Sequence, residues 1–229
     1  MQKKIWLFVF FTALLVNLSS IVVPSAIFFF FSKPLLVLSL IGWLFFSLKQ
    51  YGGAVYLFPL AALFFSLLGD ILLLFEKANP LFFIVGLISF LIAHVGYIII
   101  FNRIRTKNNI SIKWWIIFII LCYYSILLSS LFPNLGQMKI PVVVYGAVIS
   151  TMFFVALHLL YNKSNANMQI VMGAILFVVS DSILAFNKFY NNFSSASFLI
   201  MLTYAFAQYF IIKGIISNTT NGKFVIGKL

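Results

Sequence analysis

Asp70 and Asp181 each lie inside a long apolar stretch, Leu67-Leu68-Gly69-Asp70-Ile71-Leu72 and Val178-Val179-Ser180-Asp181-Ser182-Ile183. An ionisable group placed in hydrocarbon is costly unless it faces a partner or a wet cavity, so both are candidate functional residues. The third acid of the chain, Glu76, stands beside Lys77 at the edge of a stretch. Two carboxyls near one depth suit general acid–base chemistry. Neighbouring carboxyls titrate apart, so one can deliver a proton while the other stays ionised. Structural glue between helices is the competing reading. His94 and Tyr97 are three residues apart and share a helix face, so they can join the same pocket, although a buried histidine bonded to a backbone carbonyl fits equally. His158 falls near the end of a later stretch and reads as an interfacial residue. Zinc hydrolases need three ligands and an open position, and no H-E-x-x-H or H-x-x-x-H spacing occurs. With no glycine-rich phosphate loop and no G-x-S-x-G elbow either, no metal and no cofactor is expected.

The elements that must position these residues are membrane spans. Of the 229 residues, 64% are hydrophobic and 8% charged, against about a quarter charged in a soluble domain. Folded in water, such a chain exposes far more hydrocarbon than a soluble monomer tolerates. A spanning helix needs ~20 mostly apolar residues. Eight stretches qualify, near residues 5–23, 34–48 (with 28–31 as an alternative start), 56–75, 81–101, 113–131, 141–161, 169–187 and 197–216. Loop chemistry marks the breaks, among them Ser32-Lys33-Pro34, Lys49-Gln50-Tyr51-Gly52-Gly53, Asn79-Pro80 and Pro133-Asn134. The expected fold class is all-α, a polytopic transmembrane helical bundle of about eight helices, with residues 1–229 forming a single transmembrane domain. The opening Met1-Gln2-Lys3-Lys4 and its apolar run read as a retained first helix rather than a cleaved signal. Cys122, the one cysteine, reads as a packing residue.

Fifteen Lys plus Arg against three acids give a net charge of +12, but the cations are scattered singly between apolar runs. That pattern argues against nucleic acid and for lysines anchored at lipid headgroups. With the N-terminus in the cytoplasm, the inner side collects Lys3, Lys4, Lys49, Arg103, Arg105, Lys107, Lys113, Lys163, Lys213, Lys223 and Lys228. The outer side takes Lys33, Lys77, Lys139 and Lys188. This bias predicts cytoplasmic termini. The segments around Asp70 and Asp181 also align with one another, and Ala93-His94 matches Ala207-Gln208 across a small gap. An offset of four helices keeps direction, so parallel repeats over 1–107 and 108–216 are expected, followed by a cytoplasmic tail at 217–229.

Taken in order, several pieces resemble the YhhN family of multi-spanning membrane proteins, which includes lysoplasmalogenases. They are Lys33-Pro34-Leu35, Leu68-Gly69-Asp70, Gly86 through His94 to Tyr97, Ser180-Asp181-Ser182-x-Leu184-Ala185, Thr203-Tyr204 and Gln208. The resemblance implies hydrolysis of the vinyl ether bond of a lysophospholipid substrate, giving a fatty aldehyde and a glycerophospho-headgroup. It places the catalytic pair on Asp70 and Asp181. Each acid lies five or six residues before the outer end of its stretch, so both are expected to line one cavity opening toward the outer half of the membrane. Tyr97, Tyr204 and Gln208 are expected there as polar, substrate-binding neighbours, with His94 deeper and Lys33 near the substrate phosphate. The resemblance further implies a bacterial inner-membrane enzyme whose partners are membrane lipids, with the oligomeric state open. A vinyl ether is hydrolysed by protonating the alkene carbon, and water captures the resulting oxocarbenium ion. That is compatible with a pair of intramembrane acids. A lipid or small-molecule transporter using the aspartates as proton or cation sites is the alternative, and a non-enzymatic scaffold a third.

Overall fold

The computed structural model describes residues 2–221, all of whose regular structure is helical. Eight helices follow in order: α1 (Gln2–Val22), α2 (Ala26–Leu48), α3 (Gly53–Leu74), α4 (Leu81–Lys107), α5 (Trp115–Leu131), α6 (Lys139–His158), α7 (Asn165–Phe189) and α8 (Ala196–Thr220). Counting the short 3-10 turns that flank α5 and α6, all eight are long and apolar enough to cross a membrane. The chain is an integral membrane protein. Lys223, Lys228 and most of the expected tail lie outside the described residues; the rest of that tail, through Thr220, continues α8.

Helix α2 starts well before the stretch at 34–48 and runs through Ser32-Lys33-Pro34. Proline removes one backbone donor and reads as a break in water-soluble sequence. Within a membrane, leaving the helix exposes more polar backbone than the proline frees, so the helix carries on past it. The consequence is that Lys33 is no loop lysine: it lies seven residues inside α2, ~10 Å below the helix start. At the far end of α2 the turn into α3 does need its glycines. Gly52 and Gly53 have φ of +56° and +58°, a region that side chains with a Cβ avoid.

The helices α4 and α8 are the most buried and α5 the least. Close packing is made by small residues, as expected where no hydrophobic force drives helices together in lipid. A Cβ added at Gly173 of α7 meets the Ala207 carbonyl oxygen of α8 at 2.7 Å, and one at Gly214 of α8 meets that of Ala166 at 2.6 Å. The apolar residues that stay exposed, such as Phe8, Phe118, Ile126 and Ile140, form the lipid-facing surface. Cys122 is exposed among them on α5 rather than packed inside. One end of the bundle carries Glu76 and Lys188, paired at 2.9 Å, and the opposite end carries Lys107.

Candidate active site

The two central helices bring their polar residues to the two aspartates. Asp70 lies four residues before the end of α3, ~6 Å deep, and Asp181 eight before the end of α7, ~12 Å deep. Both are measured from the Glu76 end, so the equal spacing of five or six residues expected from sequence gives way to a staggered pair.

Asp70 is almost fully buried and heads an ordered chain of hydrogen bonds. Tyr97 of α4 donates to Gln208 Oε1 of α8 at 2.5 Å, and Gln208 Nε2 donates to Ser66 Oγ at 3.0 Å and to Tyr204 Oη at 3.4 Å. Tyr204 in turn donates to Asp70 Oδ2 at 2.7 Å. Lys33 Nζ stands 3.6 Å from the other carboxyl oxygen, so α2, α3, α4 and α8 meet in one network. The Tyr204 hydroxyl and the Lys33 ammonium both face the carboxylate, which compensates much of the cost of burying it.

Asp181 sits in a second cluster that sequence reading left incomplete. Tyr145 of α6 donates its hydroxyl proton to Asp181 Oδ2. His94 Nε2 lies 3.0 Å from Tyr145 Oη and 3.6 Å from Asp181 Oδ2. Because the one hydroxyl proton of Tyr145 goes to Asp181, its oxygen must accept from His94, which sets the Nε2–H tautomer. His94 is therefore in Asp181's immediate surroundings, not deeper on its own. Ser182, next to Asp181, accepts from Tyr123 of α5 at 2.7 Å and donates to the Val178 carbonyl. Neither tyrosine was singled out from sequence. The available signal was a tyrosine well inside an apolar stretch, away from the interfacial belt where the residue usually sits.

The clusters are separated by the ring of Phe177, 4.6 Å from His94 and 5.5 Å from Tyr204, centre to centre. Asp181 and Tyr145 together line two small clefts of about 40 Å³ each. One lies between α5, α6 and α7, and the other between α4, α6 and α7. Asp70 lines neither, so the expectation that both carboxyls share one cavity is not what these clefts show. His158 lies outside the site. Its Nε2 accepts from the Lys113 backbone N–H at 2.9 Å and its Nδ1 bonds the Phe154 carbonyl at 2.7 Å, tying the segment before α5 to α6.

The sequence profile of the YhhN family matches residues 28–215. The chain belongs to the YhhN family. The matched segment contains every residue of both aspartate clusters. Lysoplasmalogenase TMEM86B of Rattus norvegicus is 31% identical over 176 residues, which cover 77% of this chain and 67% of that protein. The Homo sapiens protein of the same name is 31% identical over 182 residues, covering 78% of this chain and 71% of its own. That of Mus musculus is 28% identical over 186 residues, covering 81% and 74%. No solved structure matches the chain.

Proposed function

We propose that this family member is a membrane-embedded ether hydrolase that cleaves lysoplasmalogen-type lysolipids, with Asp70 and Asp181 as its acid–base pair. The observation that carries the reading is the pair itself. Two carboxyl clusters that meet across the Phe177 ring, one lining clefts and one held by a network of donors, occur in a chain similar over most of its length to proteins named lysoplasmalogenase.

Asp181 is the group a substrate meets first, because it lines both clefts. Tyr145 occupies its Oδ2, which leaves Oδ1 to carry the proton for delivery. That proton passes to the alkene carbon of the vinyl ether as the double-bond electrons form the new C–H bond. The ether oxygen then shares the positive charge. The Asp70 carboxylate, fixed by Tyr204 and Lys33, balances that oxocarbenium ion through the field of a poorly hydrated site. Water adds to the cationic carbon and returns one proton to Asp181, restoring the acid. The hemiacetal collapses to aldehyde and alcohol as its hydroxyl proton moves to the leaving oxygen. The reactants are one ether and one water; no cofactor takes part.

Purified protein in lipid nanodiscs, given an alkenyl lysophospholipid in D2O, tests the reading. Aldehyde release with one deuterium on the carbon next to the carbonyl, trapped by immediate reduction, is expected. Movement of intact substrate across a vesicle bilayer without cleavage would instead favour the transporter.

A further inference from the structure

The Lys107 end of the bundle holds an open pocket that the aspartate clusters do not use. Its volume is about 450 Å³, and residues 108–111, Lys113, Tyr161 and Asn162 give it a mainly polar wall. The end of α4, the connection into α5 and the turn that closes α6 meet there. Hydrogen bonds fix that wall. Asn162 Nδ2 donates to Asn108 Oδ1 at 2.7 Å, which joins the α6–α7 connection to the α4–α5 connection. Arg105 Nη1 donates to the Ile110 carbonyl at 2.7 Å, and the Lys113 backbone N–H donates to His158 Nε2 at 2.9 Å. Between them Asn109 takes a left-handed φ of +53°, a region that asparagine tolerates better than most residues.

Charge and depth indicate the occupant. Lys113 Nζ lies 5.6 Å from the centre of the Tyr161 ring, Arg105 reaches Ile110 in the wall, and Lys163 follows Asn162. None of the three acidic side chains of the sequence belongs to this end. Asp70 is seventeen residues from the start of α3 and Asp181 sixteen from the start of α7, ~24 Å or more along each helix. Glu76 is at the opposite end. The pocket therefore offers cations to an anion from outside. Trp114 and Trp115, 68% and 55% exposed, follow Lys113 directly, and Tyr161 is also exposed. Exposed tryptophan and tyrosine at the ends of spans mark the headgroup level of a bilayer.

We propose that this pocket binds the headgroup of an anionic glycerophospholipid, with its phosphate against Lys113 and its hydroxyls among Asn109, Ser111 and Asn162. The site is separate from the aspartates and does not depend on the hydrolase reading. A zwitterionic headgroup brings the same phosphate together with an ammonium that meets Lys113, Arg105 and Lys163, so the anionic class is preferred. Bound there, the lipid bridges the α4–α5 and α6–α7 connections and ties down the start of α5, the least buried helix.

The test compares the whole chain in nanodiscs of phosphatidylcholine with and without phosphatidylglycerol. Mass spectrometry of the intact protein counts the lipid that stays bound, and amide hydrogen exchange follows residues 108–113. Phosphatidylglycerol should be retained at least ~5-fold over phosphatidylcholine, the preference that one interfacial cation supplies, and should slow exchange at 108–113. Lys113→Gln keeps the backbone N–H that His158 accepts and should erase most of the preference, whereas Lys113→Arg should keep it. Lys139→Gln is the control, because that ammonium also lies over a ring, Phe132, but at the Glu76 end. It should leave retention and the slowed exchange as in wild type. Equal retention of both lipids, equal losses in Lys113→Gln and Lys139→Gln, or unchanged exchange at 108–113 overturns the site. Inorganic phosphate that slows this exchange as much as phosphatidylglycerol does would overturn the lipid as its occupant. If Lys113→Gln fails to fold, the comparison of the two lipids on wild-type protein still decides.

Discussion

Tyr145 has one hydroxyl proton and two partners. It donates to Asp181 and accepts from His94, so it fixes the carboxyl's orientation and the imidazole's tautomer at once. Tyr145→Phe keeps the ring and removes both bonds. The buried groups left behind cost about 1–3 kcal/mol. Turnover should fall at least ~10-fold with KM nearly unchanged, since Asp181 would still be present but no longer held. A variant with wild-type kcat would remove Tyr145 from the account. His158 gives the opposite expectation. With both ring nitrogens engaged by backbone groups, His158→Ala should lower stability by about 1–3 kcal/mol and leave the turnover of folded protein within a few-fold. Thermal unfolding in detergent alongside the aldehyde assay separates the two effects. Asp70 and Asp181 were legible in the sequence because a charge in hydrocarbon has few innocent explanations. Tyr145 was not, since its partners are 36 and 51 residues away and only the packing of α4, α6 and α7 brings them together.

At the scale of the helices, the α7–α8 contact is set by two glycines facing the partner's backbone. Gly173→Ala and Gly214→Ala each place a methyl group within about 2.7 Å of a carbonyl oxygen that no side-chain rotation can move. Each should cost about 1–3 kcal/mol and lower the unfolding midpoint. Gly146→Ala, which meets only the ring of Tyr124, should cost less. Unfolding midpoints equal to wild type in both α7–α8 variants would contradict the packing. The existence and order of the eight helices were readable from apolar length alone. For α2 the stretch at 34–48 stopped short, because proline punctuates soluble sequences more strictly than membrane ones, and it is the alternative start at 28–31 that lies within the helix and carries Lys33 on it. We further propose that 1–107 and 108–216 are parallel repeats. In support, α3 packs on α4 as α7 does on α8, and α4 on α6 as α8 does on α2. Lys33 on α2 and Tyr145 on α6 hold corresponding places beside their aspartates.

For the whole molecule, the distribution of Lys and Arg along the chain sets the orientation we propose: the Lys107 end in the cytoplasm, and the Glu76 end, to which both aspartates are nearer, facing outward. After Cys122→Ala removes the exposed native thiol, single cysteines at Lys77 and Lys107 should label from opposite sides of sealed cells. Labelling of both from one side would undo the orientation. The central claim, that two intramembrane aspartates perform the hydrolysis, is tested most directly by Asp70→Asn and Asp181→Asn in purified, folded protein. Asparagine keeps the shape and much of the hydrogen bonding of aspartate, yet it can neither deliver an acidic proton nor balance a cation. Each variant should lose at least ~10²-fold in aldehyde release while its unfolding midpoint stays measurable and cooperative. Turnover within a few-fold of wild type in both would mean that the aspartates only hold helices together, and the proposed chemistry would have to be given up.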